Sequence, residues 1–125
     1  MAKILIYVGA VLPLLWGTSH LFPTKSIVKG FGDIGEDNKN IVTMEWIVEG
    51  IALIFVGVLV AVVTYIDSGS TLSKAIYITV SCFLLVLAVV SLFTGFRINF
   101  ILYKLCPVIF TSSAVLISVG WLIEG

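Results

Sequence analysis

The chain has 125 residues, of which 60% are hydrophobic and 11% charged, with a mean hydropathy of +1.21. Soluble domains carry about 25% charged residues, so this composition excludes a water-soluble globule with a polar shell and places the chain in a bilayer as one polytopic domain. Its 7 basic and 7 acidic side chains cancel, which excludes an electrostatic hold on nucleic acid and leaves membrane lipid, other helices or a small ligand as partners.

Residues 4–21 form the first predicted span, at the short end of the roughly 17–25 residues a bilayer requires. No Ala-x-Ala cleavage site follows, and Trp16, Thr18, Ser19 and His20 close the run, so it reads as a mature transmembrane helix and not as a signal peptide. Gly9, Pro13 and Gly17 recur every four residues, a spacing of small residues that lets a neighbouring helix approach closely. His20-Leu21-Phe22-Pro23 ends the helix, because the residue before a proline is pushed out of the α region.

Residues 24–40 are the one substantial polar segment. Thr24 to Phe31 predicts a short interfacial helix with Ile27, Val28 and Phe31 turned to lipid. Asp33, Glu36 and Asp37 lack the alternating ligands and closing glutamate of a calcium loop, and they read as a solvated loop. The second span is residues 41–65, with Asn40 or Thr43 as N-cap. Glu45 and Glu49 lie four apart and share one face of this helix, in surroundings where a carboxylate is costly by a few kcal/mol and calls for a partner, a proton or a ligand.

A tight turn, Asp67 to Thr71, leads to the third span, residues 72–94, marked by Lys74, Tyr77, Ser81, Cys82, Ala88 and Ser91. A second turn, Gly95 to Asn99, leads to the fourth, residues 100–123, with Tyr103, Lys104, Pro107 and the small-residue run Thr111 to Ala114. Cys82 and Cys106 form no CxxC or metal-ligand spacing and read as small core residues. Short turns make successive helices antiparallel neighbours, so the predicted fold is an all-α, up-and-down four-helix membrane bundle. The stripes Gly9/Pro13/Gly17 and Gly57/Ala61 also suit a homo-oligomer.

With four spans, both termini and the Asp67–Lys74 turn share one side. The long polar loop shares the other side with Lys25, Lys29, Lys39, Arg97 and Lys104, against Lys3 and Lys74. The positive-inside rule then puts loop 24–40 in the cytoplasm and the termini outside. Counted from the terminal face, His20 and Glu49 both lie about 24 Å up, Lys104 about 28 Å and Glu45 about 30 Å. One layer below the loop face thus collects ionisable groups, with Tyr103, Asn99 and Arg97 just above it. Trp16, Trp46 and Trp121 are expected as interfacial anchors, and Glu45 and Lys104 as groups that reach headgroup water beside them.

Three chemistries fit this layer. Burial raises the pKa of a carboxyl and a nearby cation lowers it, so Glu49 with His20 predicts a proton-linked site for a cationic or amphiphilic molecule, with Glu45 and Lys104 as outer partners, either for transport or for binding. Alternatively the polar layer only fixes helix register in a structural or accessory subunit of a membrane complex. A third possibility is an enzyme holding Fe, Mn or Zn on His20, Glu45 and Glu49, although the Glu-x-x-His repeats of bundle metal sites are missing. The chain has one histidine, which leaves a span serine or cysteine no second imidazole as base, and it carries no glycine-rich phosphate motif. The cofactor is left unassigned.

The segment Gly17-Thr-Ser-His20-Leu-Phe-Pro23, with Glu49-Gly50-Ile-Ala-Leu-Ile-Phe-Val-Gly57, resembles the DoxX-like group of small four-helix membrane proteins. The resemblance implies a bacterial or archaeal inner-membrane protein, sometimes an accessory subunit of a redox complex. Small multidrug transporters are similar in length and helix number, but their essential glutamate lies in a first span, which here has none.

Overall fold

The computed structural model describes Met1–Gly125, and all its regular elements are helical. They are α1 (Ala2–Leu21), α2 (Thr24–Gly30), α3 (Glu36–Asp67), α4 (Thr71–Thr94) and α5 (Ile101–Glu124), with a 3-10 turn at Gly95–Arg97 between the last two. Four of these helices are long and apolar enough to cross a bilayer. Only 28–39% of each apolar stretch is buried, and Val11, Phe55, Val62, Val86, Val89, Val108 and Val115 all face outward. An outer wall of this kind is solvated by lipid and not by water.

The second long helix begins earlier than predicted. Asn40 and Thr43 lie within α3, whose N-cap is Gly35, and Glu36 and Asp37 occupy its first turn. Backbone N–H groups point outward there and favour negative charge, so residues expected in a solvated loop extend the helix instead. What remains of the loop is the bend between Phe31 and Gly35, which turns at Gly32 with φ of +76°, a value that favours glycine. The predicted short helix is present as α2, with Thr24 Oγ1 donating to the carbonyl of Leu21 at 2.7 Å, but Ile27 and Val28, expected to face lipid, are half-buried and line clefts against the bundle, whereas Phe31 is exposed.

α1 packs extensively on α3 and α5, α4 on α5, and α3 touches α4 much less. The small residues explain why α1 is the hub. A Cβ placed on Gly17 would lie 2.5 Å from the carbonyl oxygen of Gly50, and one on Gly57 would lie 2.5 Å from that of Ala10. The pairings 17 with 50 and 10 with 57 run α1 antiparallel to α3. On its other side, a Cβ on Gly9 would meet the Ile117 side chain at 2.7 Å and one on Gly120 would meet Ile6 at 2.5 Å. The stripe expected to face one partner is therefore divided between two, and both are in this chain. The case for a homo-oligomer that rested on Gly9, Gly17 and Gly57 falls with it.

Pro13 lies fully buried inside α1 and has no N–H, which frees the carbonyl of Gly9 one turn earlier. Ser113 of α5 donates its hydroxyl to that oxygen at 2.6 Å. In a medium without water, such a carbonyl must find a donor on a neighbouring helix. Pro107 likewise frees the carbonyl of Tyr103, and Gly95 passes so close that a Cβ would lie 2.9 Å from this oxygen. Around these contacts the core is Ile6, Ala10, Leu53, Val60, Tyr77, Leu84, Phe110, Ala114 and Ile117. At the terminal end of the bundle Thr64 and Tyr77 share a buried 2.9 Å hydrogen bond, and Ser68 donates to Glu124, which also faces Lys3 at 3.9 Å. Cys82, expected in the core, is exposed, since a residue next to the buried Ser81 points about 100° away around the helix.

Candidate functional site

The site is built at the C-terminal end of α1. A helix end leaves its last carbonyls without intrahelical donors. Trp46 of α3 supplies one, its indole Nε1 donating to the His20 carbonyl at 2.6 Å. The same indole stacks on the His20 imidazole, with ring centroids 4.0 Å apart and planes 15° from parallel. Glu49 lies one turn along α3 from Trp46 and so shares its face. Its Oε2 is 3.3 Å from His20 Nε2. Two residues of one helix thus hold the histidine, Trp46 across its ring and backbone and Glu49 at its edge.

The burial of the pair is uneven. His20 is 9% exposed, whereas the Glu49 side chain is 49% exposed. Of the expected His20/Glu49 pair, only the histidine is buried, and Glu49 reaches the imidazole from the bundle surface. The contact is close but poorly aligned, and Nε2 makes no hydrogen bond. Glu45 and Glu49, with Ile41, Val42, Trp46 and Val48, line an open groove made by α3 alone.

Beside His20 is a cavity of about 330 Å³, lined by α1, α2, α3 and α5. Trp16, Ser19 and His20 come from α1, Ser26 and Ile27 from α2, Trp46 from α3, and Tyr103 and Cys106 from α5. Tyr103 meets Trp46 edge-on with centroids 6.1 Å apart, and Phe100 meets Tyr103 at 6.0 Å. The indole N–H of Trp16 is buried, and the only acceptor beside it is the weakly accepting sulfur of Cys106. A buried N–H left unpaired costs about 1–3 kcal/mol. No carboxylate lines the cavity.

Of the predicted layer, the structure unites His20, Glu49 and Tyr103 through Trp46. Glu45 lies on the outer groove, and Lys104, Arg97 and Asn99 take part in no ion pair with either glutamate. The metal alternative fails on the donor set, because His20, Glu45 and Glu49 do not converge and no three His, Cys, Asp or Glu side chains do. Trp16 and Trp46, expected as lipid anchors, are walls of the cavity. The signal for this was spacing. Trp16/His20, Trp46/Glu49 and Tyr103/Cys106 each fall three or four residues apart, which sets an aromatic and a polar group on one helix face.

Compared with known proteins, the chain matches no family model, no curated protein and no solved structure.

Proposed function

We propose that this is an integral membrane protein that binds a small, uncharged, planar molecule carrying acceptor oxygen, taken from the lipid phase into the cavity beside His20. The observation that supports the reading most is the indole N–H of Trp16, buried at an aromatic-lined space with only the weakly accepting sulfur of Cys106 beside it. Small-ligand sites are largely apolar with a few fixed polar groups, and about 300 Å³ is the lower end of their size range. Trp46 and Tyr103 offer ring surface, Trp16 a donor, and Ser19, Ser26 and the Tyr103 hydroxyl further polar positions. A cationic ligand fits less well, because the one acid of the site, Glu49, lies outside the cavity lining.

Duroquinone and durene test this, since both are flat six-membered rings with four methyl groups, and two carbonyl groups of the quinone stand where the arene has two C–H groups. Wild-type protein in detergent is expected to bind duroquinone more tightly. Trp16→Phe keeps the ring and removes the N–H, and it is expected to weaken duroquinone by about tenfold while leaving durene unchanged. Equal affinity for the two molecules in the wild type, or equal loss of both in the variant, contradicts the reading.

In this proposal the loop side, with α2, faces the cytoplasm of a prokaryotic inner membrane and both termini face outward, following the excess of Lys and Arg around α2 and the α4–α5 turn. Alkaline phosphatase fused after Gly125 is expected to be active, and the same enzyme inserted in the Phe31–Gly35 bend inactive. The reverse pattern inverts the orientation.

A further inference from the structure

A second concave surface lies on the other side of α2 and belongs to no part of the site described above. Thr24, Lys25, Val28, Lys29 and Gly32 from the α2 side face Lys39 and Thr43 of α3 across a cleft of about 370 Å³. Lys25 and Lys29 are four residues apart on one helix face, and α3 adds the third ammonium opposite them. Like charges gathered this way repel one another. No carboxylate lines the cleft, Lys25 and Lys29 have no ion-pair partner, and Lys39 alone is paired, at 3.1 Å to the largely exposed Glu36. Gly32 leaves the rim open, with nothing within 4 Å of where a Cβ would stand.

The height of the cleft identifies its surroundings. Measured along α3 from Asp67, Lys39 lies about 42 Å away at 1.5 Å per residue. A bilayer with its headgroups is about 40–45 Å thick, so the cleft is level with the phosphates of one leaflet. Lys25 and Lys29 line the same cleft as Lys39 and Thr43, which brings them to that level.

We infer that this cleft binds the phosphate of an anionic phospholipid headgroup between Lys25, Lys29 and Lys39. An anion there offsets part of the repulsion among the gathered ammonium groups, and the acyl chains continue down the apolar outer wall of the bundle. The inference is independent of the aromatic cavity, because the two share no lining residue.

The test is native mass spectrometry of protein released from bilayers of phosphatidylcholine with a minor share of phosphatidylglycerol. Wild-type protein is expected to retain phosphatidylglycerol in preference. Lys25→Gln/Lys29→Gln is expected to reduce that preference by roughly twenty-fivefold, about fivefold per lysine, and Lys25→Arg/Lys29→Arg to keep it. Excess inorganic phosphate at constant ionic strength separates the two sources of the anion. If the lipid stays, the headgroup is the occupant. If inorganic phosphate displaces it and itself binds with the same lysine dependence, the anion site stands and the lipid assignment is overturned. Equal retention of phosphatidylglycerol by wild type and the glutamine variant, or equal loss in the arginine variant, overturns the inference entirely.

Discussion

Gly17→Ala is expected to lower the stability of the bundle by about 1–3 kcal/mol, the usual range for an extra methyl forced into a packed contact. The new Cβ would stand 2.5 Å from the Gly50 carbonyl, 2.9 Å from Leu53 Cβ and 3.0 Å from the Ile54 amide. Two of these neighbours are backbone atoms of a long helix, so a side-chain rotation cannot clear them and α1 must move away from α3. That movement also carries His20 away from Trp46 and Glu49, because all three ride on the same helix pair. Gly30→Ala is the matched control, since nothing lies within 4 Å of its Cβ position, and it is expected to change stability little. Denaturant unfolding in detergent followed by circular dichroism separates the two. Equal behaviour of both variants would mean that α1 and α3 are not in contact at Gly17.

Trp46→Ala is expected to weaken binding in the cavity by roughly a hundredfold, about 2.7 kcal/mol. Three losses add in one direction. The cavity loses a wall, His20 loses a stacked ring worth about 0.5–1.5 kcal/mol, and the His20 carbonyl loses a hydrogen bond whose absence costs about 1–3 kcal/mol. Trp46→Phe restores a ring without the N–H and is expected to recover binding to within about tenfold of wild type. Equilibrium dialysis of duroquinone against the purified variants measures both. If the alanine variant binds as well as the phenylalanine variant, Trp46 is not a wall of the binding space.

Much of the architecture was legible because lipid imposes a strong pattern. Four long apolar runs with short turns leave few alternatives to an antiparallel bundle, and counting residues along the helices placed His20 and Glu49 at one level, where they meet at 3.3 Å. The start of α3 is not legible, because Glu36 and Asp37 look the same in a solvated loop and in a first helical turn until a cap is assigned, and only Asp33 stays in the bend. The homo-oligomer argument failed for a related reason. Glycine spacing shows that a close neighbour exists but not which helix it is, and α1 uses Gly17 toward α3 and Gly9 toward α5. The layer of charges dissolved because depth fixes height but not azimuth. Lys104, Arg97 and Asn99 lie near the height of Glu49 or just above it, and none of them pairs with it. An indole near a membrane boundary fits an anchor as well as a wall, so the cavity role of Trp16 and Trp46 is visible only once the helices are packed. The 2.6 Å bond from Trp46 to the His20 carbonyl depends on where α1 stops, and no periodicity encodes that.

Photolabelling tests the cavity most directly. A diazirine-bearing benzoquinone, equilibrated with the protein in a bilayer, irradiated and mapped by peptide mass spectrometry, reports where the molecule rests. Labels confined to the end of α1 with α2 (residues 16–27), to Trp46 and to the start of α5 (residues 100–106), and competed away by duroquinone, are the predicted result. Labels spread along the outward faces of α4 and α5, unchanged by the competitor, would contradict it and leave the aromatic cluster as packing alone.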